Sequence, residues 1–421
     1  MMQFKKRLAI LFGIVLMVSL IVACEPDRGE PQVSQDLEEG EMPDKPEQLL
    51  VWVHDDEDGD ISAEELYADY FGNYTEETGI EVVMEIVPMP DQVQNLALAG
   101  PSGDGPDIFF QPQDRLGDVV AQGLATPIVY SNEEINGFSK AAIDAFTYEG
   151  EIYGAPVAIE TYFAYYNKAI IDEYPTTIED VFKMSQEFTD RENDQFGFLV
   201  SPEFYYLYSF INSNGGYIFG EQDGVYDVDD IGLDNEGAVA GLEQYMEFIN
   251  ADILPRTLTV DVLDGLFTDG KVGMVISGPW AISNYQRALG DDLGTAPLPE
   301  MGGEIAPSFV GVKSWLVSSY SEHPEWAMDL AKFITNDESS QLYHELTNEL
   351  PPRPAILDAI DDPIYAGHTQ QIEYGTPMPN IPEMSAVWDM DDAIQLIING
   401  EDIEEVLSET VQNIKDQIEL Y

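Results

Sequence analysis

The chain has 421 residues, 44% hydrophobic and 11% aromatic, which is enough for two or more domains with cores of their own. Lys and Arg number 17 against 80 Asp and Glu, and the formal net charge of −63 argues against nucleic acid, anionic membrane surfaces and acidic substrates as partners. A single cysteine, Cys24, excludes intramolecular disulfides and a thiolate metal cluster.

At the start, Lys5, Lys6 and Arg7 form a basic region, Leu8 to Val22 is apolar, and Ala23 precedes Cys24. This resembles a bacterial lipoprotein signal over 1–23, with Cys24 lipidated as the mature first residue. Residues 24–48 carry prolines at 26, 31, 43 and 46, nine acidic side chains and little that is apolar. Such a segment cannot bury enough surface to offset the entropy of ordering, so it reads as a flexible acidic tether.

Leu49 to Val53 has the pattern of a buried strand. After it, His54 to Glu65 is similar to a calcium loop, with Asp56, Asp58, Gly59, Ile61 and Glu65 at the third, fifth, sixth, eighth and twelfth positions. His54 stands where such loops begin with aspartate and a strand precedes it, so no metal site is assigned. Ser62 to Glu65 also reads as a capping box. The helix that follows runs to about Thr78, places Leu66, Tyr67, Tyr70, Phe71 and Tyr74 on one face, and ends at Gly79. Ile80 to Val87 reads as a strand and Asp91 to Ala99 as a helix. Gly103 to Asp118 then passes through a Gly/Pro turn into the apolar burst Ile108 to Phe110 and a polar loop. Short, wholly apolar strands are those buried on both faces of a parallel sheet, and ligands bind at the loops off their carboxyl ends. Asp114 and Arg115 lie in such a loop.

Tyr148 to Ala158 reads as a hairpin feeding a strand, with Glu160 at the strand's end and an extended run from Tyr162 to Asn167. Helices alternate with short apolar runs as far as Ser277. Most of the aromatics between Phe204 and Phe210 are expected in a helix core. Phe309 to Ser318 is predicted as a strand and Pro324 to Asn336 as a helix. The proline-rich stretch Pro351 to Asp362 reads as a crossing between lobes, and helices are predicted over 385–400 and 403–420. Alternation of helix and strand indicates an α/β fold. There is no Gly-x-x-x-x-Gly-Lys loop, no nucleophile elbow and no metal-ligand spacing among His54, His323, His344 and His368. Nothing in the sequence signals catalysis.

Several motifs together resemble the maltose/maltodextrin-binding proteins of bacterial ABC importers, in particular the Gram-positive lipoprotein type. They are Gly103–Phe110 with Asp114-Arg115, Tyr165–Lys168, Gly215–Tyr217 leading into Gly224–Gly232, Ser277–Trp280, Phe309–Val312, and Met378-Pro-Asn-Ile-Pro-Glu-Met-Ser-Ala-Val-Trp388. The resemblance runs from about Leu49 to the C-terminus. It implies a two-lobed periplasmic-binding-protein-like fold with a ligand cleft between lobes. The N-terminal lobe would comprise 49–158 and 313–361, and the C-terminal lobe 159–312 and 362–421. It further implies hinge closure on an oligosaccharide, delivery to the membrane subunits of an ABC permease, a monomeric protein held outside the cell membrane by its lipid, and no cofactor. Carried over position by position, the sugar-binding residues would be Asp56, Asp114, Arg115, Glu160, Glu203, Tyr205, Trp280 and Trp388. Trp52, Trp315 and Trp326 stay with the core. Three positions depart from the family: Gln111 stands where relatives place a first-lobe tryptophan, Glu57 replaces a lysine, and Val260 lies near an expected tyrosine. These departures leave cyclodextrins or a non-α-glucan open as ligands, and a secreted glycoside hydrolase is the reading from another class.

Overall fold

Residues 42–54, 62–222, 225–357 and 359–419 are described by a computed structural model. Cys24, Asp56 and most of the calcium-like loop lie outside the described residues.

The principal strands, in chain order, are β1 (Gln48–Val53), β2 (Glu81–Ile86), β3 (Ile108–Pro112), β4 (Gly154–Thr161), β5 (Phe163–Asn167), β6 (Phe196–Leu199), β7 (Tyr217–Gln222), β8 (Val225–Gly232), β9 (Val272–Ser277), β10 (Leu293–Ala296), β11 (Phe309–Ser318) and β12 (Thr376–Pro377). In the first sheet β1 pairs in parallel with β2 and β3, while β11 runs antiparallel to β3 and β4 and takes β12 alongside in parallel. The second sheet has the order β10-β5-β9-β6, and β7 with β8 makes a separate hairpin. The chain crosses from one sheet to the other between β4 and β5, with only Tyr162 intervening, and returns between β10 and β11.

Both faces of the first sheet are covered at β1 and β3, which is why Leu49 to Val53 and Ile108 to Phe110 read as unbroken apolar runs. Leu49, Val51, Val53, Ile108, Phe110, Trp315 and Val317 enter one core, and Trp52, Phe109 and Leu316 enter the core on the opposite face. The split follows the two-residue period of the strand. A separate core joins the second sheet to the helices Phe204–Ser213 and Glu236–Asn250 and to the C-terminal helices Met390–Asn399 and Ile403–Ile418.

Helix Ala63–Thr78 begins as its sequence directs, with the Ser62 hydroxyl accepting from Glu65 N at 3.2 Å, and stops at Gly79 in the left-handed region. Its inward face puts Tyr67 and Phe71 each 5.9 Å from the fully buried Trp315, edge to face. Aromatic pairs of this kind add about 0.5–1.5 kcal/mol apiece beyond the area they bury. Trp52 and Trp315 are core residues, and Trp326 packs half-buried against the same core as Trp315. The helix expected over 385–400 is instead two, Met384–Val387 and Met390–Asn399, with Trp388 in the joint. Among the described residues of Pro351 to Asp362 there is only the short helix Pro354–Leu357, and just before it Leu350 bridges to Ile159 of β4.

Candidate functional site

A cavity of about 280 Å³ opens where the carboxyl ends of first-sheet strands face the helices of the second core. Its first wall is built from Met89 and Pro90, which open helix Met89–Ala99 after β2, from Gln111 and Pro112 ending β3, from Asp114 and Arg115 in the following turn, and from Glu160 near the end of β4. Tyr205, Met378, Trp388 and Asp391 form the rest.

Packing fixes the turn that carries Asp114. Gly117, just beyond it, lies so close to the backbone of Ile381 and Pro382 that any added Cβ would strike them. Gln113 donates to the Met378 carbonyl at 2.7 Å, and the Asn380 amide donates to Ala145 O at 3.1 Å and Thr147 O at 3.2 Å. The Met378–Trp388 run is therefore held against Gln113, Gly117 and the segment 145–147, which brings Trp388 beside Asp114. Asp114 is 4% exposed, and loss of water pushes its carboxyl above the ordinary range. Arg115, with Nε 3.7 Å from the carboxylate, offsets part of that rise. The Trp388 indole N–H lies near enough to favour the charged form, but it makes no hydrogen bond among the described residues.

On the opposite wall, helix Phe204–Ser213 turns Phe204, Tyr206, Leu207, Tyr208 and Phe210 into the core and leaves Tyr205 at the cavity. Burial, then the charge of Glu160, holds the Tyr205 phenol well above its ordinary value, so it stays a neutral donor. Its hydroxyl is buried without a hydrogen-bond partner among the described residues. Two unmet donors, the Tyr205 hydroxyl and the Trp388 indole, thus border one cavity, and buried polar groups are rarely left so without a ligand or water to meet them.

Trp280 does not itself line the cavity; its ring lies 6.5 Å from that of Tyr205. It folds back across Gly278, where a Cβ would collide with the indole. Glu203 also lies outside the lining, at the N-cap of the Tyr205 helix but without capping it. That role falls to Asp391, whose carboxylate accepts from Phe204 N at 2.7 Å. Glu203 is exposed overall, and partial loss of water at its carboxyl raises it, with the nearby charge of Asp391 raising it further. The Asp391 carboxyl is likewise raised by burial, against the opposing pull of the Phe204 N–H.

Of the residues picked from the sequence, the structure thus gathers Asp114, Arg115, Glu160, Tyr205 and Trp388 around one space, with Trp280 adjoining and Glu203 behind. It adds Met89, Pro90, Met378 and Asp391. The first two follow the end of β2, where the strand-end rule points, and Met378 begins the motif that carries Trp388. Asp391 gives no local signal. Gln111 uses its amide N–H on Met89 O at 2.9 Å, so this part of the first wall carries an amide and no aromatic ring. Among the described residues no cluster of His, Cys, Asp and Glu is arranged to hold a metal ion, and no helix is long and apolar enough to cross a membrane.

Residues 69–369 match the model of the bacterial extracellular solute-binding proteins. A galactooligosaccharide-binding protein of Bacillus subtilis (strain 168) is 32% identical, spanning 99% of this chain and 98% of its own. A maltooligosaccharide ABC transporter solute-binding lipoprotein of Streptococcus pneumoniae (strain ATCC BAA-255 / R6) is 27% identical across 92% of this chain and 90% of its own. Among solved structures, a cyclo/maltodextrin-binding protein complexed with maltotetraose superposes with a TM-score of 0.77 at 36% identity, covering 90% of this chain and 99% of that one.

Proposed function

Because the chain belongs to the bacterial extracellular solute-binding protein family, and its fold is two-lobed with a cleft, we propose that it captures oligosaccharides of the maltodextrin type for an ABC importer. The observation that carries this reading is the cavity itself, where Tyr205 and Trp388 face Asp114, Arg115 and Glu160. An oligosaccharide has flat apolar C–H faces and a rim of hydroxyls. Rings cover the first, and carboxylates with a guanidinium bond the second through charge-assisted hydrogen bonds. Glu203, Trp280 and Asp56 extend the site.

In this reading the N-terminal lobe comprises 49–158 and 313–361 and the C-terminal lobe 159–312 and 362–421. Closure of the lobes binds the sugar more tightly than the open state does, and the permease membrane subunits read the closed form. Cys24 carries the lipid, residues 24–48 tether the monomer outside the membrane, and the sugar is released unaltered. One observation favours a second ligand class: Gln111 leaves the first wall without a ring, and one relative is named for galactooligosaccharides.

A thermal-shift panel of maltose, maltotetraose, cyclodextrin and galactooligosaccharides separates these, because a ligand of the native state raises the midpoint by mass action. The expected result is a saturable rise with maltodextrins, sugars recovered without new reducing ends, and loss of most of the rise in Trp280→Ala and Trp388→Ala. A rise confined to galactooligosaccharides selects the second class. No rise with any sugar sinks both.

A further inference from the structure

Lys313 stands on β11, 6% exposed, paired in register with Ala158 of β4 on one side and Pro112 of β3 on the other. Its ammonium lies 3.0 Å from Glu160 Oε2 and 2.6 Å from Glu349 Oε1, and 5.5 Å from the centre of the Trp280 ring. A single cation therefore touches the cavity carboxylate, the aromatic beside the cavity, and the carboxylate of Glu349, just beyond helix Asp337–Thr347. That last partner is itself tied in. Glu349 is 2% exposed and accepts from the Tyr343 hydroxyl at 3.4 Å. Its neighbour Asn348 bonds Ser283 of helix Ile282–Leu289 and accepts from the Tyr365 hydroxyl at 2.9 Å.

We propose that Lys313 is the positioning residue for Glu160, fixing that carboxylate at the cavity wall for the ligand's hydroxyls and referring its position to the buried Glu349. This rests on the oligosaccharide reading above. Burying an ammonium is costly unless it is closely paired, so a lysine here needs both carboxylates, and Glu160, 8% exposed, has Lys313 as its close cationic partner. Arg115 is directed to Asp114 at 3.7 Å instead. Lys313 lies 3.0 Å from Glu160 Oε2, so the carboxylate is oriented while keeping acceptor capacity for sugar.

A double-mutant cycle tests the link. It is run in Glu349→Gln, so that removing the lysine does not leave two unneutralised buried carboxylates. Lys313→Met is introduced with and without Glu160→Gln, and methionine keeps an apolar contact with the Trp280 face. The probes are maltotetraose and galactooligosaccharides, read by calorimetry, with thermal melts to establish that each chain is folded. Lys313→Met should raise Kd about tenfold when Glu160 is present and less than about twofold when Glu160→Gln is already in place, the non-additivity expected of residues acting as a unit. Lys313→Gln, which keeps a donor within the same wall, should lose less than Lys313→Met. Equal losses in both backgrounds, or no loss in the first, overturn the inference. A wild-type chain that binds neither probe overturns the oligosaccharide reading and this inference together, whereas wild-type binding with an additive cycle overturns this inference alone.

Discussion

Asp114 holds a charge in a place that opposes it. The side chain is buried, its carboxyl is raised above 3.8 chiefly by loss of water, and Arg115 and the Trp388 N–H relieve only part of that. The sign of the stability effect follows directly. The folded chain takes up a proton before the unfolded chain does as pH falls, so ionised Asp114 costs stability at neutral pH. The cost fades as pH drops through the raised value and is gone below the unfolded one. Asp114→Asn should therefore raise the melting midpoint of the sugar-free protein at pH 7, with the gain shrinking as the medium is acidified towards 3.8. The same change should weaken oligosaccharide binding by about tenfold or more, the worth of one charge-assisted hydrogen bond. Melts of the two chains across pH, beside calorimetry, check both halves. A variant that is less stable at every pH would refute the account of the strain. For wild type, affinity should decline on the acid side as the acceptor is lost.

At the scale of elements, the joint between β9 and helix Ile282–Leu289 decides where Trp280 points. The Tyr165 hydroxyl donates to the Gly278 carbonyl at 2.7 Å, and the indole lies over the bare Cα of that glycine. In Gly278→Ala the new methyl meets the ring, which must swing away while the strand keeps its ladder. Binding should weaken about two- to tenfold, the range an aromatic contact spans, with a shifted tryptophan emission and a melting midpoint changed far less than in a core truncation. Unaltered affinity with shifted emission would remove Trp280 from the site. What could be read from sequence divides along the same line. β1 and β3 were legible because burial on both faces leaves continuous apolar runs, Leu49 to Val53 and Ile108 to Phe110, and Asp114 with Arg115 followed from standing after such a strand. Lys313 and Asp391 were not. The Asp391 carboxylate caps a helix 187 residues earlier in the chain. Lys313 reads from sequence only as a polar residue within a strand, and its partners Glu160 and Glu349 come from distant segments. Local pattern carries no information on either pairing. The break of the 385–400 helix at Trp388 was missed for a related reason, since its apolar spacing continues through the joint.

For the whole molecule, the dominant fact is 80 acids against 17 bases. With so few cations, pairing cannot neutralise the surface, and exposed pairs such as Lys140–Asp144 and Arg191–Asp252 each contribute little. Self-repulsion of the remaining carboxylates favours expansion of the chain, and mobile ions weaken it. The screening length falls from about 30 Å at 0.01 M salt to about 3 Å at 1 M, so repulsion between distant surface charges is nearly removed over that range. Thermal or denaturant midpoints should therefore climb steadily with NaCl, and choline chloride should serve as well, because screening does not depend on the cation's identity. A gain with sodium alone would replace screening with specific cation sites, and a flat or falling profile would exclude a salt requirement altogether. Oligosaccharides are neutral, and the proposed acceptors Asp114 and Glu160, with Lys313 paired to Glu160, are buried and little screened. Sugar affinity measured well below each midpoint should consequently change much less with salt than stability does. Affinity that rose in step with the midpoint would instead mean that repulsion between the two lobes opposes closure.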